Sequence, residues 1–150
     1  MPERLELRIF LDTNVIFSGL YSSHGPAGII LERFVNGEFI VVISQQVLEE
    51  VVRTMKAKIP DMLPSLRVFL ENVSLEIVRD PLYSEVISWK QIINLEDAAI
   101  LVAAESAQPD YFVTGDKHFL DNPGVLEKSG LCIVSPARFL DYFSEKSSSG

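Results

Sequence analysis

The chain has 150 residues, of which 47% are hydrophobic and 23% are charged, a balance typical of globular rather than disordered proteins. No apolar run approaches the roughly 20 residues that span a bilayer, and the N-terminus lacks a secretory signal pattern, so we expect a cytoplasmic protein without a membrane segment. With 13 basic and 21 acidic residues, the net charge of −8 argues at first sight against a nucleic-acid partner, because phosphates attract basic surfaces.

Short apolar runs alternate along the chain with segments of helical periodicity. In chain order the predicted elements are strand 7–11, a loop as far as Pro26, helix 27–35, strand 39–43, helix 45–58, helix 66–73, strand 75–78, helix 81–89, helix 96–107, strand 111–114, strand 132–134 and helix 137–143. This alternation predicts an α/β fold with a central, mostly parallel sheet. We expect residues 1–146 to form a single domain and residues 147–150 to be a disordered tail.

Two aspartates follow predicted strands at the edge where parallel sheets bind ligands. Asp12 ends the first strand, and Asp116 follows strand 111–114 after one glycine. A buried, unpaired carboxylate is costly, so packing in an apolar core does not explain either aspartate. Capping of a helix or a turn is the alternative role for each of them.

Two pairs of acidic residues lie early in predicted helices. Glu50 lies beside the apolar stripe of helix 45–58 and is expected to point toward the sheet, whereas Glu49 is expected to face solvent. Glu96 and Asp97 precede the apolar part of helix 96–107, where a carboxylate also complements the helix dipole. A solvated helix face is the alternative for the first pair.

Carboxylates from four distant segments would repel one another unless divalent cations neutralised them. An oxygen-only set of aspartate and glutamate suits Mg²⁺ or Mn²⁺. Such cations bind phosphate oxygens and activate water for attack on phosphorus. If the four segments converge, the pattern therefore indicates hydrolysis of phosphodiester bonds.

Four segments also resemble a known family. They are FLDTNVIFSGL at 10–20, SQQVLEEVVRTM at 44–55, LEDAAILVAAESAQPDYFVTGDKHFL at 95–120 and IVSPARFL at 133–140. Over residues 7–143 the chain resembles a PIN domain, the ribonuclease fold of VapC-like toxins and of RNA-processing enzymes. The resemblance implies a three-layer α/β/α PIN-like fold and a metal-dependent endoribonuclease, the toxin component of a toxin–antitoxin pair.

The resemblance also assigns site residues. The catalytic and metal-binding residues that it implies are Asp12, Glu50, Asp97 and Asp116, which would hold one or two Mg²⁺ or Mn²⁺ ions. The supporting residues are Thr13, Asn14, Ser18 and Thr114. Glu49 and Glu96 are the neighbouring alternatives, and Asp121 is a further acidic residue that equally fits the start of a turn.

The implied partners are an RNA substrate, an antitoxin protein and a second copy of the chain. Four apolar residues are a candidate dimer surface, with core packing as the alternative: Leu63, Leu66, Phe69 and Leu70. Two other functions stay open, a catalytically silent PIN-like module that binds RNA or protein, and a phosphatase or receiver-like domain with Asp12 as phosphoryl acceptor. If the chain is a PIN domain, its net negative charge indicates that RNA binds through metal ions.

The remaining chemically distinctive residues are interpreted more conservatively. Cys132 is predicted to be a buried strand residue, and His118 to be an exposed loop histidine. Lys117 and Arg53 could bind phosphate or pair with the acidic cluster. Three dispersed aromatic residues are interpreted as core or interface rather than as a platform for stacking bases: Trp89, Tyr83 and Tyr111.

Overall fold

Five parallel strands form a single sheet in the order β3-β2-β1-β4-β5. The structure is a computed structural model that describes residues 6–149, with side chains described as far as residue 144. The strands are β1 (Arg8–Leu11), β2 (Ile40–Ser44), β3 (Glu76–Val78), β4 (Tyr111–Val113) and β5 (Ile133–Val134). The predicted α/β fold is confirmed.

Helices cover both faces of this sheet. They are α1 (Thr13–Tyr21), α2 (Pro26–Val35), α3 (Gln45–Lys58), α4 (Leu63–Glu71), α5 (Tyr83–Val86), α6 (Leu95–Ala107), α7 (Lys117–Leu120), α8 (Pro123–Ser129) and α9 (Pro136–Ser149), with 3-10 turns at Pro60–Met62 and Ile87–Trp89. Consecutive residues Ile9, Phe10 and Leu11 of β1 are all fully buried, which requires cover on both sides. This is the expected three-layer arrangement. None of the helices described is both long and apolar enough to cross a membrane.

The order of the strands creates a crevice at the centre of the sheet. From β1 the chain passes to β2 and β3 on one side and then returns to β4 and β5 on the other. Ligands of open α/β sheets bind where the order reverses in this way, outside the carboxyl ends of the strands. Asp12 follows β1 at this point, and its backbone N donates to Val113 O at 3.1 Å. Thr114 follows β4 beside it.

Helix α1 replaces the loop that was predicted between the first strand and Pro26, so that prediction was wrong. Its sequence, TNVIFSGLY, has two β-branched residues and a glycine in the interior, which lower intrinsic helix propensity. Burial of Val15 and Ile16 outweighs that preference. A Cβ on Gly19 would lie 2.5 Å from Leu31 Cδ1, so the glycine allows α2 to pack closely against α1.

The C-terminal third differs from the predictions in smaller ways. Cys132 is exposed and lies just outside β5, because this strand has only two residues and lies at the edge of the sheet, beside β4. Helices α7 and α8 were not predicted. The single domain predicted at 1–146 and the tail predicted at 147–150 include residues outside those described, and both stay predictions.

Core packing accounts for much of the candidate dimer surface. Leu66 is 4% exposed, and its three apolar neighbours on α4 are partly buried against the core. Phe69 makes an edge contact with Phe34, with ring centroids 6.1 Å apart. Of the three dispersed aromatics, Trp89 is buried, but Tyr83 is 67% exposed and is not a core residue.

Candidate active site

A cleft of about 280 Å³ at the carboxyl edge of the sheet brings together carboxylates from four separate segments. Its acidic lining is Asp12, Glu50, Asp97 and Asp116. The other lining residues are Thr13, Asn14, Phe17, Ser18, Thr54, Lys58 and Ile100. The three alternatives Glu49, Glu96 and Asp121 are exposed and do not line this acidic cleft.

Asp12 is the innermost of the four carboxylates, with 3% exposure. It caps α1, and its Oδ1 accepts a hydrogen bond from the Thr13 backbone N at 2.8 Å. Its Oδ2 accepts from Thr114 Oγ1 at 2.7 Å and from Asn14 Nδ2 at 2.9 Å. These donors fix the orientation of the carboxylate.

Burial raises the pKa of Asp12 from its ordinary value of 3.8 to about 6, because removal from water disfavours the charged form. The hydrogen bonds from Thr114, Thr13 and Asn14 lower the pKa and oppose this effect, while the charge of Asp116 raises it further. At neutral pH the carboxylate is therefore ionised in surroundings that penalise its charge. A cation beside it would relieve that penalty.

Thr114 connects the two strand-end aspartates through a single hydroxyl group. It is fully buried, donates from Oγ1 to Asp12 Oδ2 at 2.7 Å, and accepts at the same oxygen from the Asp116 backbone N at 3.0 Å. Asn14 adds a second connection, because its Oδ1 accepts from the Gly115 backbone N at 2.7 Å. The ends of β1 and β4 are thereby held in one fixed arrangement.

We expect Thr114→Val to lower the free energy of unfolding by about 1–3 kcal/mol. Valine keeps the shape of the side chain but leaves Asp12 Oδ2 and the Asp116 backbone N without their shared partner. Thr114→Ser retains the hydroxyl and should cost less. Urea denaturation of the wild type and both variants measures the difference. A valine variant as stable as the wild type would contradict this role of the hydroxyl.

Glu50 lies on the face of α3 that turns toward α1. Thr13 Oγ1 donates to Glu50 Oε2 at 2.8 Å, and Gln46 Nε2 donates to Glu50 Oε1 at 3.3 Å. The same Gln46 nitrogen donates to the backbone O of Glu96 at 2.9 Å, which connects α3 to the start of α6. The structure therefore places Glu50, and not its neighbour Glu49, toward the strand-end aspartates.

Asp97 and Asp116 meet His118 on the more exposed side of the cleft. His118 Nδ1 lies 3.5 Å from Asp97 Oδ2 and 3.3 Å from Asp116 Oδ1. Asn94, the N-cap of α6, holds Asp97 by donating from Nδ2 to Asp97 Oδ2 at 2.8 Å. His118 is exposed, as predicted, but it belongs to α7 rather than to a loop.

The donor set fits a hard divalent cation. Asp97, Asp116 and His118 each offer one ligand atom, all within 4.8 Å of one another, and Asp12 and Glu50 line the same cleft. Within residues 6–144, no lysine or arginine forms an ion pair with any of these four carboxylates. Hydrogen-bond donors and one imidazole are their polar partners there. An oxygen-rich set of this kind suits Mg²⁺ or Mn²⁺.

Four residues that line the cleft were not predicted as site residues: Phe17, Thr54, Lys58 and Ile100. Thr54 and Lys58 follow Glu50 by four and eight positions, so helical spacing alone was a signal that could have found them. Phe17 follows Thr13 by four positions, but that spacing has meaning only once α1 is known to be a helix. His118 also belongs beside the site, because its imidazole lies next to the carboxylates of Asp97 and Asp116.

Neither cation proposed from the sequence lines the acidic cleft. Arg53 lies instead in a largely apolar groove of α3, beside Leu48 and Val52. Lys117 is exposed at the start of α7. Among the side chains described, Lys58 is the basic one in the lining of the acidic cleft.

A second cleft, of about 500 Å³, adjoins the first on the other side of α1. The two clefts share Asn14, Ser18 and Asp116. The rest of its lining comes mainly from the first residues of α2 and α9 and is mostly apolar. Ser18 therefore lies on the ridge between the clefts, exposed to both.

Comparisons with known proteins agree with this architecture. A chain in the crystal structure of VapBC2 from Rickettsia felis, bound to a DNA fragment from their promoter, is 21% identical with a TM-score of 0.62, covering 86% of this chain and 98% of that one. PAE2754 from Pyrobaculum aerophilum is 13% identical with a TM-score of 0.62, covering 94% and 99%. FitAB bound to an IR36 DNA fragment gives 18% identity and a TM-score of 0.53, covering 85% and 94%.

The family itself is identified by a sequence comparison. No curated protein matches the chain. The family model for the PIN domain, however, matches residues 8–118, which extend from β1 to His118 and include all four carboxylates of the cleft. The chain therefore belongs to the PIN domain family.

Proposed function

We propose that this protein is a cytoplasmic, metal-dependent endoribonuclease that hydrolyses RNA phosphodiester bonds and is the toxin component of a toxin–antitoxin pair. The single observation that supports it most is the acidic cleft, where Asp12, Glu50, Asp97 and Asp116 converge without a lysine or arginine ion pair among the residues described. Four carboxylates gathered at one site without a lysine or arginine partner repel one another, and a role in metal binding explains their convergence.

In this proposal Asp12, Asp97 and Asp116 hold Mg²⁺ or Mn²⁺, and Glu50 completes the set. The metal, when bound, would neutralise phosphate oxygens and make water a better nucleophile. The protein's own contribution is to keep these carboxylates in place before substrate arrives. Thr114 does so for two of them by its shared hydrogen bonds.

Three smaller residues complete the positioning. Thr13 donates to Glu50, and Asn14 donates to Asp12 while accepting from the backbone after β4. Ser18 lies at the edge of both clefts, where its hydroxyl can reach substrate. No side-chain nucleophile is required in this mechanism.

The proposed partners rest on the comparisons and on charge. Two of the similar structures, VapBC2 and FitAB, are complexes bound to DNA, and VapBC is a toxin–antitoxin system, which supports an antitoxin partner here. The net charge of −8 favours a basic segment in such a partner. We also propose a homodimer, which light scattering across a concentration series tests.

The decisive experiment is cleavage of labelled single-stranded and hairpin RNAs by the purified protein. We expect cleavage with Mg²⁺ or Mn²⁺, and none after addition of EDTA. Undiminished cleavage in EDTA would overturn the metal dependence. RNA binding without cleavage under every metal condition would overturn the enzyme and favour a catalytically silent binding module.

A further inference from the structure

Two aromatic rings on α1 stack beside the acidic cleft. Phe17 and Tyr21 are one helical turn apart, with centroids 6.5 Å from each other and ring planes inclined by only 4°. Phe17 lines the cleft and is partly buried against the core. Tyr21 is 66% exposed. The pair, called here the α1 aromatic pair, therefore places two nearly parallel rings between the cleft and solvent.

Packing against the core explains why position 17 carries an aromatic side chain, but it does not explain the aromatic side chain of Tyr21. A ring that is two-thirds exposed buries little apolar area, and an i,i+4 contact on a helix surface stabilises it only slightly. An accessible ring beside a nuclease cleft does, however, match the way proteins hold single-stranded nucleic acids, by stacking bases on aromatic side chains. Stacking tolerates any base, because every base has a π-face.

A cation on the opposing helix fits the same ligand. Lys58 lines the acidic cleft from α3, and α3 packs against α1. It extends the face that begins with Glu50 and continues through Thr54. Nucleic-acid backbones are positioned by contacts to phosphate oxygens, and lysine is a common partner for them. A strand in the cleft would therefore have a cation for its phosphates on α3 and aromatic rings for its bases on α1.

We propose that the α1 aromatic pair is the stacking platform for a base next to the cleaved bond. A base inside a duplex is already stacked and paired, so the nucleotide held on this platform is an unpaired one. This inference rests on the proposed ribonuclease function and adds two substrate-positioning residues to it.

The test compares Tyr21→Ala with two controls, using a single-stranded RNA that the wild type cleaves. We expect Tyr21→Ala to raise KM about tenfold with kcat unchanged, because the loss of one base–aromatic stack weakens binding on that scale. Tyr21→Phe keeps the ring and should restore the wild-type KM. Tyr83→Ala removes a tyrosine of the same exposure on α5 and should change nothing. Phe17→Leu should raise KM in the same direction.

Abasic substrates test the contact itself. With the wild type, an abasic site moved along the RNA should raise KM strongly at a position next to the cut, and Tyr21→Ala should show no further loss there. If the wild type cleaves RNA but Tyr21→Ala has a wild-type KM, the platform is refuted while the proposed function stands. A change of oligomeric state without a change of KM would refute it in favour of a protein contact. If the wild type cleaves no RNA, both proposals fail.

Discussion

Replacing Asp116 by asparagine should lower RNA cleavage more than about 100-fold while the protein stays folded. Even partners outside the first ligand shell of a metal are worth about 10–100-fold, and Asp116 is placed among the proposed ligands themselves. Asparagine keeps an oxygen that can accept from the His118 backbone N, as Asp116 Oδ1 does at 2.9 Å, so the cap of α7 survives. Single-turnover cleavage and circular dichroism measure activity and fold.

The chain offers matched controls for two of the four carboxylates, Glu50 and Asp116. Glu50 and Glu49 are adjacent on α3, yet only Glu50 lines the cleft, so Glu50→Gln should inactivate and Glu49→Gln should not. Asp121→Asn is the matching control for Asp116→Asn, because Asp121 does not line the cleft and its substitution should leave the activity unchanged. Equal activity within either pair would contradict the assignment of the site, because both members lose the same formal charge and differ only in location.

Much of the candidate site was predictable from the acidic residues that follow the strands. Asp12 and Asp116 were found because each breaks an apolar pattern at the edge where parallel strands end. Helical periodicity and the family resemblance both favoured Glu50 over Glu49, with a solvated helix face left open as the alternative for the pair. Apart from the resemblance, these inferences needed only spacing and the preference of carboxylates for water.

Features that depend on tertiary packing were not accessible in this way. Helix α1 has weak intrinsic propensity and forms because Val15, Ile16 and Gly19 pack inside the protein, against Leu31 among others. With α1 taken as a loop, the alignment of Tyr21 with its ring partner could not be foreseen. The exposed position of Cys132 follows likewise from the shortness of an edge strand, which no local pattern showed.

The buried position of Asp12 predicts a marked pH dependence of stability in the metal-free protein. Its pKa is about 6 in the folded state against an ordinary 3.8, so between these values the folded state binds a proton that the unfolded state does not. Stability therefore falls as pH rises through this window, by about 3 kcal/mol in total. Burial also raises the pKa of Glu105, which acts in the same direction.

Comparison with Asp12→Asn isolates the contribution of this one group. Asparagine cannot ionise. The difference in unfolding free energy between Asp12→Asn and the wild type should therefore change by about 3 kcal/mol between about pH 4 and pH 6, and it should stay constant above that window. The new amide faces the Asn14 amide group, and this adds an offset that does not vary with pH. Urea titrations in EDTA across this range measure both quantities. If the wild type and Asp12→Asn gave parallel curves of unfolding free energy against pH, this would contradict the raised pKa of Asp12.

Adding Mn²⁺ above pH 6 should reverse this loss, because a bound cation offsets the charge that burial penalises. A ligand at about 100 times its Kd stabilises the folded state by about 2.7 kcal/mol, which for a chain of this size raises Tm by roughly 5–10 °C. Asp12→Asn and Asp116→Asn should lose most of that rise, whereas Asp121→Asn should keep it. In the proposed function the acidic cleft weakens the metal-free protein at neutral pH, and a bound metal ion would supply the compensating free energy. A Tm indifferent to Mn²⁺ in the wild type would contradict this account.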